Sequence, residues 1–456
     1  MIEQRVGILF LALLPAACAM SSAPVPKPVP PASRVSSSGM TINDARELRS
    51  ELEGAYDKIL ARSSGATKGE VVDADAALSM NVPDHRSIRG ALNYFSTDLH
   101  DSIQLSLLRS ARYKKLIDAT LDQYHLPHGL AYLPVIESAY VANLTSRAGA
   151  HGIWQFMPAT AREYGLRVDW WVDERADPVK STRAAAGYLR DLYNRFGDWS
   201  LALAAYNAGP GRVQRALTET GARSFWELQD LNAVPKETRG YVPTFFATLL
   251  IVSEPSRYGF KVIEADPIPT SEVEIQGPVS LGFVARACGM TEGEMLDLNP
   301  QYRRGVVPPE KVRLQVRKEV APALLAKAAN LRFEDPDVSV ASFTLRRGDS
   351  IGSLAKRLKV RVEDIAEMNG VSPGTVRSGD TLFLPVTQSE LSERLRQHPA
   401  DSYYTVSRGE TLYSIAKGHG LTVEELLDLN RLDDDHVLQV GEKLRVSLGT
   451  AVTSGM

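Results

Sequence analysis

The stretch FTLRRGDSIGSLAKRLKVRVEDIAEMN (343–369) recurs as YTVSRGETLYSIAKGHGLTVEELLDLN (404–430) at a constant offset of 61 residues. The register pairs Gly348 with Gly409, Ala355 with Ala416, Glu363 with Glu424 and Asn369 with Asn430. One inserted residue later, SGDTLFLPV aligns with VGEKLRVSL. At an offset of 70 a weaker third copy spans 273–316, keeping Ser280, Ala285 and Asn299 but carrying Pro278 where the others have Gly. Self-similarity at a fixed period means that one supersecondary unit has been copied. Here each unit reads as strand, turn, two short helices and strand, so a single large C-terminal fold is excluded. The boundaries are 270–316, 341–386 and 402–447.

Ahead of these small βααβ modules the pattern is helical. Residues 41–62 form a helical extension (41–85), and 86–123 continue with apolar residues three to four apart in SLLRSARYKKLIDATLDQY. Asp177-Pro178 reads as an N-cap with proline at the first helical position. SLALAAYNAGPGRVQRAL reads as two helices broken at Gly209-Pro210-Gly211, and PKETRGYVPTFFATLLIVS as another. The fold class is therefore α+β and multidomain, an α-rich domain over 86–265 followed by the modules.

Residues 6–14, VGILFLALL, lie behind Arg5 and before PAACAMSS. This run is too short to span a bilayer and reads as a signal-peptide core, so export is expected. Cys18 after Ala16 and Ala17 resembles a bacterial lipobox, which implies a lipidated cysteine within the 1–18 leader. Pro15 and Glu3 depart from that pattern, and a plainly cleaved signal is the alternative. Residues 19–40 are a Pro/Ser tether. Cys18 and Cys288 are the two cysteines, too few for a disulfide framework. A formal net charge of −3 offers no basic excess for nucleic acid. His125, His128 and His151 have no metal-ligand spacing with acids, so neither metal nor cofactor is assigned.

The chemistry points to LPVIESAYVANLTSRAGAHGIWQFMP (133–158), where Glu137 stands alone until Glu163. A carboxyl beside Pro134, Val135 and Ile136 is desolvated, which raises its pKa and suits a general acid. Glycosidases normally pair two carboxylates. Spacing leaves open a distant partner such as Asp177 or Asp198, single-acid chemistry, or an ordinary salt-bridged glutamate.

Together, Glu137-Ser138, Ser146, GIWQ (152–155), AYNAGPGRV (205–213) and YVP (241–243) resemble the ordered motifs of the lysozyme-like family 1 lytic transglycosylases, in their membrane-bound D-type branch. Ile153 and Trp154 replace the usual Leu-Met. The resemblance implies that Glu137 is the catalytic acid/base and that Ser146 supplies a hydroxyl near it. It further implies that Gln155, Tyr206 and Asn207 contact sugar and that Tyr241 orients the acid. The repeats resemble LysM, which implies binding of N-acetylglucosamine-containing glycans, with Gly348, Asp349, Ser350, Asn369, Gly409, Glu410, Thr411 and Asn430 as candidate contacts. The implied reaction cleaves peptidoglycan between N-acetylmuramic acid and N-acetylglucosamine and leaves 1,6-anhydro ends. A hydrolytic muramidase and a non-catalytic glycan-binding scaffold are the alternatives. Ala19 after Cys18 resembles the sorting pattern of lipoproteins on the periplasmic face of the outer membrane.

Overall fold

The structure, a computed structural model, describes residues 42–63, 79–331, 335, 338–345, 349–397, 403–419, 421–433 and 436–446. The leader, Cys18, the tether and Gly348 lie outside the described residues. The chain divides into two compact units, the first ending at Pro269 and the second comprising Thr270 onward together with Asp169–Val172.

The first unit is helical: α1 (Ile42–Ser63), α2 (Arg86–Thr97), α3 (His100–Ser110), α4 (Lys114–Gln123), α5 (Leu133–Ser138), α6 (Pro158–Glu163), α7 (Pro178–Phe196), α8 (Trp199–Ala208), α9 (Pro210–Thr220), α10 (Phe225–Asp230) and α11 (Lys236–Ser253). The expected helical stretch 86–123 is three helices. The first of them stops where the amides of Asp98 and Leu99 both turn back to the Tyr94 carbonyl. The Asp177 carboxylate accepts from the amides of Val179 and Lys180, which are otherwise unpaired in the first turn of α7. Gly209 closes α8, and Pro210 opens α9.

Helix α1 packs into the same core as the rest of the unit. Ala45, Leu48, Ala55 and Ile59 are buried in one cluster with Ile88, Tyr94 and Phe95 of α2 and Val242 and Phe245 of α11. Each large side chain so buried contributes on the order of 1.5–3 kcal/mol. At Gly90 of α2 a Cβ would lie 2.2 Å from the Ile59 carbonyl oxygen, so only glycine allows the two helices to approach this closely.

The second unit contains the three repeats. In the first, β1 (Thr270–Gln276) pairs antiparallel with β4 (Lys311–Arg317), Thr270 opposite Arg317 and Gln276 opposite Lys311. Between them lie β2 (Val279–Ser280), α12 (Leu281–Cys288), α13 (Glu292–Leu298) and β3 (Val306–Val307), with α14 (Ala321–Lys327) following β4. The second repeat runs β5 (Ala341–Thr344), α15 (Ile351–Leu358), α16 (Val362–Asn369) and β6 (Thr381–Leu384), and α17 (Gln388–Gln397) follows it. The third runs β7 (Tyr403–Thr405), α18 (Leu412–His419), α19 (Val423–Asn430) and β8 (Lys443–Arg445).

One asparagine recurs in each copy with one job. The Asn369 amide donates to the carbonyls of Ile365 and Phe383, both at 2.8 Å, while its oxygen accepts from the Phe383 amide at 2.7 Å. Asn299 makes the same bonds to Met295 and Gln315, and Asn430 to Leu426 and Arg445. Each asparagine thus ties the end of the second helix to the last strand. We expect Asn369→Ala to leave both backbone groups of Phe383 unpaired at a cost of about 1–3 kcal/mol. Amide hydrogen exchange at Phe383, faster in the variant while Arg445 exchange is unchanged, checks it.

Candidate active site

The site is built around the end of α5, a helix of six residues that are all buried. It ends where Ala139 and Tyr140 adopt left-handed φ values of 49° and 58°, so the chain turns sharply away just beyond Glu137. Glu137 is 1% exposed. The Tyr241 hydroxyl, from α11, donates to its Oε1 at 2.5 Å. From α1, Arg49 Nη1 donates to the Glu137 main-chain oxygen and lies 3.5 Å from Oε2.

These groups set the acid's titration. Burial pushes the Glu137 carboxyl up to about 7, against the opposing pull of the Arg49 charge and the Tyr241 hydrogen bond. Burial likewise raises the Tyr241 phenol well above its ordinary value, so it stays a donor. Near neutral pH Glu137 therefore populates both proton states.

Two further carboxyls face the same cavity, whose volume is about 30 Å³. Glu53, 3.7 Å from Arg49 Nε, is pushed by burial up to about 9. Glu237 is also raised, chiefly by burial, and accepts from Asn207 Nδ2 at 2.9 Å. Both hold their protons more tightly than an ordinary carboxyl. Sequence reading missed Arg49, Glu53 and Glu237. A signal for Glu237 existed, since it stands one helical turn before Tyr241 and shares its face.

The other expected residues occupy distinct places. Asn207 receives the Thr238 hydroxyl at 2.7 Å and so links α8 to α11 beside the acid. Tyr206 donates to the Trp154 carbonyl at 2.7 Å, and Ser138 donates to the Ile153 carbonyl at 2.8 Å. Together they pin the GIWQ loop to α8 and to α5, the helix that carries Glu137. Trp154 is core, 1% exposed, with its indole N–H on Thr182. Gln155 is buried at φ 50°, its amide donating to Leu144 and Gly152, while among the described residues nothing bonds its Oε1. Ser146 is engaged within its own loop, its hydroxyl accepting from the Ala150 amide at 3.0 Å. Asp177 and Asp198 are helix caps, so neither supplies the distant second carboxylate.

A buried ion pair missed in the sequence holds the loop from below. Arg175 bonds Asp173 through two nitrogens at 2.8 Å each and donates to the carbonyls of Gly149 and Phe156. Gly152 sits against this strut at φ 85°, where a Cβ would fall 1.8 Å from the Arg175 carbonyl oxygen.

Comparison with known proteins agrees with this geometry. Residues 115–229 match the Transglycosylase SLT domain, 343–385 and 404–447 the LysM domain, and 269–323 the LysM-like domain of lytic transglycosylase MltD. The membrane-bound lytic murein transglycosylase D of Escherichia coli strain K12 is 32% identical over 389 residues, covering 80% of this chain and 83% of that protein. The chain belongs to the lytic murein transglycosylase D family. It is thus an enzyme of the lytic transglycosylase type, acting on peptidoglycan. The soluble lytic murein transglycosylase of the same strain is 33% identical over 117 residues, 24% of this chain and 18% of that one. A solved structure of lytic transglycosylase Slt from Pseudomonas aeruginosa covers 50% of this chain and 39% of its own at 20% identity, with a TM-score of 0.30.

Two expectations follow for this lytic transglycosylase. Glu137 and Glu53 have folded-state pKa values above the ordinary carboxylate value, so the folded state binds their protons more tightly than the unfolded chain. Their contribution to stability is full below about pH 4.5 and is lost as pH rises through about 7 and about 9. Glu53→Gln should flatten the fall in melting temperature between about pH 5 and about pH 9. Gly152→Ala should lower the melting temperature and the turnover together, because the backbone at Arg175 must move to admit a methyl group.

Proposed function

We propose that Glu137 performs both proton transfers of a non-hydrolytic cleavage. The observation that carries this reading is a buried carboxyl balanced near neutrality, beside Glu53, which burial pushes up to about 9, and Glu237, which burial also raises. In the first step Glu137 protonates the glycosidic oxygen between N-acetylmuramic acid and N-acetylglucosamine as an oxocarbenium-like state develops at the anomeric carbon. The substrate's own N-acetyl group assists. The ionised carboxylate then takes the proton from the muramoyl C6 hydroxyl as that oxygen closes on the anomeric carbon, giving a 1,6-anhydro end. A hydroxyl held on the same sugar has an effective concentration far above that of a solvent nucleophile.

Glu137→Gln keeps the shape of the side chain and removes the transferable proton. Turnover should fall roughly 10²–10⁴-fold or more, because one residue serves two steps. Mass spectrometry of muropeptides from the parent enzyme should show anhydro ends; reducing ends would establish the hydrolytic reaction instead.

The LysM repeats supply glycan affinity. Several weak modules on one chain exceed a single module's affinity by roughly 10²–10⁴-fold when they engage together. Removing residues 402–456 should reduce sedimentation with purified sacculi while turnover on short soluble glycans persists. Asn369, Ser350, Asn430 and Thr411 act within the modules as clamps and helix caps. Among the described residues no helix is long and apolar enough to cross a membrane. The chain is anchored through a lipid on Cys18, on the reading of its leader, and Cys18→Ser should release it from membrane fractions.

A further inference from the structure

We propose that Arg49, on α1, is a positioning residue for the transglycosylase reaction, holding both the backbone and the carboxylate of Glu137 from a helix that precedes the matched catalytic domain. The inference rests on Glu137 being the acid. Its ground is geometric. One guanidinium nitrogen donates to the main-chain oxygen of Glu137 and stands 3.5 Å from Oε2, with the Arg49 side chain about nine-tenths buried. A charge in that position acts through low dielectric and is screened little by salt.

The groups around Glu137 come from several elements. Helix α11 presents Tyr241 and Glu237, α8 presents Tyr206, and α1 presents Arg49 with Glu53 behind it. Arg147, on the loop after α5, acts on Glu53, and Arg212 of α9 acts on Glu237. Arg49 is the cation that touches Glu137 itself. Its immediate neighbour does not cancel it, since burial keeps Glu53 protonated at neutral pH. The charge of Arg49 is thus directed at the acid.

Helix α1 is fixed firmly enough to hold such a contact. Its inward face is core, Arg62 Nη2 donates to both carboxylate oxygens of Asp98 at 2.6 and 2.7 Å, and Lys236 bonds Asp57 at 2.5 Å. The bond to the Glu137 carbonyl does not depend on the side chain's rotamer.

The test uses Arg49→Gln and Arg49→Lys in the full chain, with kcat and KM measured against pH and melting temperature recorded for each. Losing the cation raises the pKa of the acid, so the decline of activity with rising pH should shift upward by roughly one to three units in Arg49→Gln. kcat should fall at least about tenfold with little change in KM, as expected for a lost transition-state effect. Arg49→Lys should return the decline to its original pH while recovering only part of kcat, because an ammonium carries the charge without the planar fork. A folded Arg49→Gln with the parent's profile and kcat overturns the proposal. So does a loss equal at every pH that lysine does not repair. If Arg49→Gln fails to fold, Arg49→Lys decides: a lowered kcat with the decline in place sustains the assignment, and the parent's kcat overturns it. Glu137→Gln assayed in parallel separates the two levels. If it stays active the catalytic reading falls, whereas if it is dead while Arg49→Gln behaves as the parent only the positioning role falls.

Discussion

A carboxyl shut away from water is held neutral by the cost of its charge, and the higher that cost the more reluctantly it releases its proton. Glu137 escapes that trap through two contacts, the Tyr241 hydroxyl at 2.5 Å and the Arg49 guanidinium at 3.5 Å. Burial pushes one way and these push the other, and the balance falls near 7. Without burial the group would be an ordinary carboxylate and a weak acid catalyst. Without its partners it would, on the proposed mechanism, give up its proton too reluctantly in the first step. The first unit's architecture follows from this requirement, because the two partners arrive from α1 and α11, far apart in sequence and brought together by packing on α5.

The loop opposite the acid is held by polar bonds in a region with little room for water. Ser138, Tyr206 and Arg175 donate to the carbonyls of Ile153, Trp154, Gly149 and Phe156. A buried carbonyl without such a donor costs about 1–3 kcal/mol, so the network does more than decorate the loop: it makes a single loop conformation the cheap one. Tyr206 fixes the loop's backbone through the Trp154 carbonyl. Gln155, whose Oε1 faces no protein donor among the described residues, keeps an acceptor free on that loop.

The acid was legible because an apolar run leaves a carboxyl no choice but desolvation, and the residues that signal it are adjacent in sequence. Helix caps and breaks were legible for the same reason: Asp177-Pro178 and Gly209-Pro210 act locally. Arg49 and Glu53 were not. In ARELRSELEG they look like an ordinary i, i+4 pair on a solvated face, and their burial is visible only once α1 has packed against α2 and α11. Glu237 was half legible, hidden behind its neighbour Tyr241. Ser146 shows the converse: a motif position points to the acid, while its hydroxyl is engaged with Ala150.

The repeats carry a related lesson about recurrence. Residues that persist through copies invite a binding role, yet Asn299, Asn369 and Asn430 share one buried task, closing the last strand onto the second helix. A unit of some 45 residues has little apolar surface to bury, so one side chain that pairs three backbone groups at once is a large share of its specificity. The second and third copies are closed around cores of their own, Ile351, Leu354 and Leu384 in one and Ile415, Leu426 and Leu444 in the other. The first copy, which has drifted at Pro278, instead shares its core with Met368 of the second and with Trp170, Trp171 and Val172.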